Sequence, residues 1–171
     1  MKRFFYSFLP FLFFACSGST NNSMTANEYN DSIVSEQNKI IENIIKMSTD
    51  FANFEIADGH RMKIVEQCDL SINVLNAMLD YEGNTELRDG ALALFKFYKE
   101  IAEKDFKRML EIISIDEATE EDFAELARIE QDIAKRELPL DKAFQKAQKD
   151  FSEKYDMKLE KNEYQDLIDG K

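Results

Sequence analysis

With 171 residues, 44% of them hydrophobic, the chain is long enough for one domain with a true core and too short for two. Its 5 Gly and 2 Pro are too few turn formers for a sandwich or barrel, and a formal net charge of −12 with no basic stripe argues against nucleic acid as a partner. What is left is an acidic all-helical protein, whose acidity is first of all that of a solvated surface.

The first fifteen residues stand apart. Lys2 and Arg3 precede an uncharged run from Phe4 to Ala15, which is the layout of a signal peptide over residues 1–15. The run is shorter than the ~20 apolar residues that a spanning helix needs. It closes on Leu12-Phe13-Phe14-Ala15-Cys16, which resembles the lipobox of bacterial lipoproteins, with Ala15 and Cys16 matching and Phe13 and Phe14 departing from the family pattern. The resemblance implies that the signal is removed just before Cys16, that the sulfur is diacylated, and that the new amine is acylated as well. The plain alternative is an ordinary cut nearby that leaves Cys16 a free thiol.

Two or three buried acyl chains make a stable anchor, so the expected location is the bacterial cell envelope, the outer membrane favoured, with the membrane itself as the first partner. Residues 16–27 read as a flexible polar tether with a coil dimension of roughly 18 Å, which keeps the domain near that surface. Loss of Lys2 and Arg3 with the leader makes the chain more acidic still, and anionic headgroups repel it within a Debye length of ~8 Å.

Helical spacing then organises residues 28–157. Ile33, Gln37, Ile40, Ile44, Met47, Phe51 and Phe54 form one apolar stripe with a single polar member, and predict a first helix over about residues 26–56. Ala57-Asp58-Gly59 ends it. A second helix over about 60–82 carries Ile64, Cys68, Ile72, Leu75 and Leu79, with Gly83-Asn84 as its stop. Thr85 caps a third, running to about residue 114 through Leu87, Ala91, Leu94, Tyr98, Ala102, Phe106, Met109 and Ile113. Thr119, with Asp122 three residues on, has the form of a capping box and opens a fourth. The stripe of that fourth helix, Leu126, Ile129, Ile133, Leu140, Phe144, Ala147, Phe151 and Tyr155, keeps phase across Pro139, which predicts one helix kinked there. Short connections imply an antiparallel up-down-up-down four-helix bundle, followed by an acidic tail over residues 158–171.

The opening Tyr29-Asn30-Asp31-x-Ile33-Val34-x-x-Gln37, just after a lipoprotein leader, resembles an uncharacterised family of bacterial surface lipoproteins that share a Tyr-Asn-Asp start and a helical domain of this size. The resemblance implies envelope exposure and brings no assigned activity.

Chemistry is sparse. One histidine excludes the paired Glu-x-x-His motifs of di-iron bundles, and zinc clusters, phosphate loops and nucleophile elbows are missing from the sequence, so no cofactor, no metal site and no catalytic residue is expected. Cys68 sits among Ile64, Ile72 and Leu75 as a small core residue, with His60 more than two turns away. Asp80, Glu82, Asn84 and Glu86 alternate like part of a calcium loop, but Thr85 stands where the loop needs glycine and Ala91 where it needs glutamate. Tyr29, Asn30, Gln37 and Asn73 lie at or near apolar stripes and are the candidate lining of a pocket; polar pairing that fixes helix register is the plainer use of such residues.

Three functions compete. One is a non-catalytic lipoprotein presenting a surface to partners at the envelope, including a protein partner. Another is a module binding a small cationic or amphipathic ligand between its helices. A carboxylate enzyme is the third, and nothing in the sequence pairs two acids for it.

Overall fold

A computed structural model describes residues 24–159. The leader, Cys16, most of the expected tether and nearly all of the acidic tail lie outside the described residues. Those described form five helices, α1 (Ala26–Thr49), α2 (Phe54–Ala77), α3 (Glu86–Glu103), α4 (Asp105–Ile113) and α5 (Glu120–Lys154), with no strand among them beyond an isolated bridge between Tyr81 and Asn84. The chain is all-α and packs as a helical bundle.

Thr25 starts α1 with a reciprocal cap: its hydroxyl accepts from the Glu28 amide at 3.2 Å while its own amide donates to the Glu28 carboxylate at 2.7 Å. Those bonds hold the Glu28 carboxyl below its ordinary value. The helix ends earlier than its stripe suggests. Asn53 accepts from the Ile56 amide and caps α2, so the break falls at residues 50–53, and Gly59 lies inside α2 with open space around it. An Asn cap outweighs a lone glycine as a boundary because it satisfies an orphan helix N–H that Gly59 does not.

The predicted third helix is two helices. Lys104 departs from helical geometry at φ −115° and ψ −66°, although backbone bonds from Lys104 to Glu100 and from Arg108 to Lys104 carry the chain across the interruption. Buried Arg61 of α2 donates from Nη1 to the Ala102 carbonyl at 3.2 Å beside this break, and from Nε to Asp58 at 2.6 Å. Thr85 makes no side-chain cap, whereas the Thr119–Asp122 box at the start of α5 forms as the sequence predicts.

In α5 the chain runs through Pro139 without a break. Pro139 is exposed, and so is Lys135, the residue whose carbonyl it leaves without a helical donor.

The core centres on α3, where Leu87, Ala91, Leu94, Phe95, Tyr98, Ile101 and Ala102 are buried against Ile33 and Ile40 of α1, Ile64, Cys68 and Leu75 of α2, and Phe144 and Phe151 of α5. Gly90 lets α5 approach closely: a Cβ there would stand 3.5 Å from the Phe144 Cα. A buried polar link joins α1 to α2, with Ser71 donating to Glu36 at 2.8 Å and Gln67 donating to Ser71 at 3.0 Å. It satisfies a carboxylate that would otherwise be costly to bury.

Candidate functional site

Three chain segments meet at one end of the bundle: the first turn of α1, the turn between α2 and α3, and the last turns of α5. Aromatic rings hold them. Tyr29 stacks on Phe151 with centroids 5.6 Å apart and meets Tyr81 at 5.4 Å, while Tyr155 packs on Phe151 at 4.6 Å and edge-on to Tyr81 at 4.8 Å. The Tyr155 hydroxyl donates to the Tyr81 carbonyl at 3.3 Å. Beside the rings, Gln148 of α5 donates to the Asn30 side chain of α1 at 2.9 Å.

The α2–α3 turn is tight. Tyr81 and Asn84 exchange backbone bonds of 3.2 and 2.8 Å around Glu82 (φ 50°) and Gly83 (φ 79°), two successive left-handed residues of the kind a primed two-residue turn requires. Arg88, one turn into α3, pins it by donating to the Met78 carbonyl at 2.9 Å and to Asp80 at 2.7 Å. Leu79, beside Asp80, is 86% exposed.

Between this turn and the start of α1 lies a pocket of about 400 Å³, lined by Met24, Tyr29, Met78, Leu79, Asp80, Tyr81 and Glu82. That volume lies within the ~300–1,000 Å³ of ligand sites, and the walls are mainly apolar with two carboxylates at the rim. The Tyr29 hydroxyl is buried with no hydrogen-bond partner, and burial pushes the phenol up from its ordinary value. The residue that carries this unpaired hydroxyl thus also lines the pocket.

Of the residues singled out in the sequence, Tyr29 lines this pocket. Asn30 is next to it but is engaged with Gln148 and Asp31. Gln37 is buried two turns further along α1, and Asn73 is exposed on α2; neither lines the pocket, so the four do not form one site. Cys16 lies outside the described residues. Leu79, placed in the second helix's apolar stripe by its spacing, leaves that stripe because α2 ends at Ala77. Gly83-Asn84 marks the turn in the sequence; Met24 and Met78 carry no signal that singles them out.

Elsewhere the titratable groups are structural. Cys68 is fully buried and burial pushes its thiol up to about 12, while His60 pairs with Asp50 at 3.2 Å. Tyr98 donates to Glu137 of α5 at 3.1 Å, and burial raises both groups. Asp80 of the calcium-like alternation is turned to Arg88, and among the described residues no cluster of three or more His, Cys, Asp or Glu is placed to hold a metal ion. No described helix is long and apolar enough to cross a membrane. The chain matches no protein-family model, no curated protein and no solved structure.

Proposed function

We propose that the protein is a lipid-anchored component of a bacterial cell envelope, the outer membrane favoured, held at Cys16, and that its bundle serves a non-catalytic interaction or structural role toward a protein partner there. The seam at Leu12–Cys16 carries this proposal: a basic start, an uncharged run, and a cysteine at the point where the polar residues begin. Residues 1–15 are removed, 16–27 tether the bundle of 28–157, and 158–171 form a tail. The helices run up-down-up-down, with α3 and α4 counting as one rod and α5 bent at Pro139; distances between spin labels at the helix ends test that arrangement.

The anchor is tested by intact-mass spectrometry of the protein from its own membrane fraction, together with Cys16→Ala. The expected mass is that of residues 16–171 plus two or three acyl chains, and the variant leaves the membrane or accumulates uncleaved. A cleaved Cys16→Ala protein that stays on the membrane overturns the anchor.

A second reading, a module for a small cationic or amphipathic ligand, is favoured by one observation, the apolar pocket with Asp80 and Glu82 at its rim. It expects a short-chain alkylammonium, added below its micelle concentration, to raise the melting temperature by mass action and Tyr81→Ala to remove the effect. An unchanged melting temperature counts against it.

A further inference from the structure

We infer that the Met24–Leu79 end of the bundle seats on the lipid surface to which the chain is anchored, with Leu79 entering the interface. This rests on the proposed lipidation of Cys16. From Cys16 to Met24 the chain advances eight residues, a reach of at most about 29 Å when fully extended. α1 alone, at 24 residues, is about 36 Å long. The pocket end is therefore the end that the anchor delivers to the membrane.

What that end presents suits an interface. Leu79 is 86% exposed, the most exposed large hydrophobic side chain among the described residues, and Met24, 45% exposed, stands across the pocket from it. Tyr81 and Tyr155 lie just behind with partly exposed rings, the side chains that favour the headgroup level. Arg88, shared between Asp80 and Asp89, offsets part of the charge beside Leu79, and Glu82 keeps this end acidic. Of the other exposed apolar side chains, Val74 lies in the last turn of α2 at this same end, whereas Met62 in the first half of α2 and Phe123 at the start of α5 lie away from it. Because the chain is acidic, and more so once Lys2 and Arg3 leave with the leader, the surface that fits is zwitterionic, and anionic lipid opposes the seating.

The test uses the full lipidated protein in phosphatidylcholine vesicles, with an environment-sensitive fluorophore on Leu79→Cys and, separately, on Phe123→Cys near the start of α5. Both positions are exposed, so circular dichroism should report an unchanged fold, and buried Cys68 stays unlabelled. The expected result is a blue shift and quenching by brominated lipid at position 79 and neither at 123, both lost when phosphatidylglycerol replaces most of the phosphatidylcholine. An acylated protein whose label at 79 stays in water overturns the seating while leaving the anchor intact. An unacylated mass with 79 in water removes both. Equal shifts at 79 and 123 overturn the orientation, a shift produced by soluble alkylammonium and not by vesicles assigns the end to a small ligand instead, and a label already shielded before vesicles are added, with a mass that grows with concentration, assigns it to a second copy.

Discussion

α3 and α5 are held by different means. Half of the 18 residues of α3 are buried, whereas α5, nearly twice as long, buries Phe144, Phe151 and Ser152. Over its first half α5 offers only half-buried Leu126, Ile129 and Ile133, supplemented by polar ties: Arg108 of α4 grips Glu125 with bonds of 2.7 and 2.8 Å, and Arg136 reaches Asp105 at 2.6 Å beside the Phe97 ring. A helix packed on several sides is fixed by apolar area; one laid on the outside is fixed by a narrow stripe, its caps and its ion pairs. The lesson is that equal apolar periodicity in sequence does not mean equal burial.

The sharpest break of this comparison is truncation. Leu94→Ala in α3 and Phe151→Ala in the buried half of α5 should each cost roughly 2–5 kcal/mol, and Ile133→Ala in the outer half about 1, read as urea midpoints at constant slope. Comparable losses at Ile133 and Leu94 would mean that the outer half is as firmly packed as the centre. Next, Thr119→Ala removes the cap of α5 and should cost about 1 kcal/mol, with faster amide exchange confined to its first turns; exchange that quickens equally in α3 would show the two helices opening as one unit.

Glu137→Gln probes the one polar tie that burial opposes. Burial raises the folded Glu137 carboxyl above 4.5, against the Tyr98 hydroxyl that pulls it down, so the folded state holds this proton more tightly than the unfolded chain. Stability contributed at this site is therefore lost as pH rises through the carboxylate range. The glutamine keeps an acceptor for Tyr98 and removes the charge, so the variant should melt higher than wild type at neutral pH and lose that advantage in acid. A variant that melts lower at every pH would mean that the charge itself holds α5. The smallest effect belongs to Arg108→Ala: the pair with Glu125 is exposed, and its loss should be detectable in low salt and vanish in high salt.

Much of the fold was legible, and the failures share a cause. The Leu87–Met109 part of the third stripe lies wholly within the core, because a helix surrounded by neighbours must match them at every turn, whereas at its end Ile112 is buried in place of Ile113. Phe54 and Leu79 keep the spacing of their stripes, yet Phe54 opens α2, Leu79 lies just beyond its end, and both are exposed. Periodicity marks a face but not where its helix stops; Asn53 and the Glu82-Gly83 turn, acting through single hydrogen bonds and left-handed backbone, decide that. Glu36 pairs locally with Lys39, as any solvated helix face could, and what marks it as buried is Ser71, a partner 35 residues away on α2. Of Tyr29, Asn30, Gln37 and Asn73 only Tyr29 lines the pocket; Met24, Met78 and Leu79 acquire their roles when chain end and turn come together.

The clasp between Asn30 and Gln148 spans 118 residues. A chain emerging at about 5–20 residues per second presents Gln148 roughly 6–24 s after Asn30, and Phe151 slightly later still. For that interval Tyr29 has Tyr81 and lacks Phe151, the other ring that packs on it, and the end of the bundle carrying the pocket is the last to close. Completion of this fold is thus timed by its C-terminal turns, and a chain stopped short of Phe151 would leave its first helix with an uncovered aromatic face.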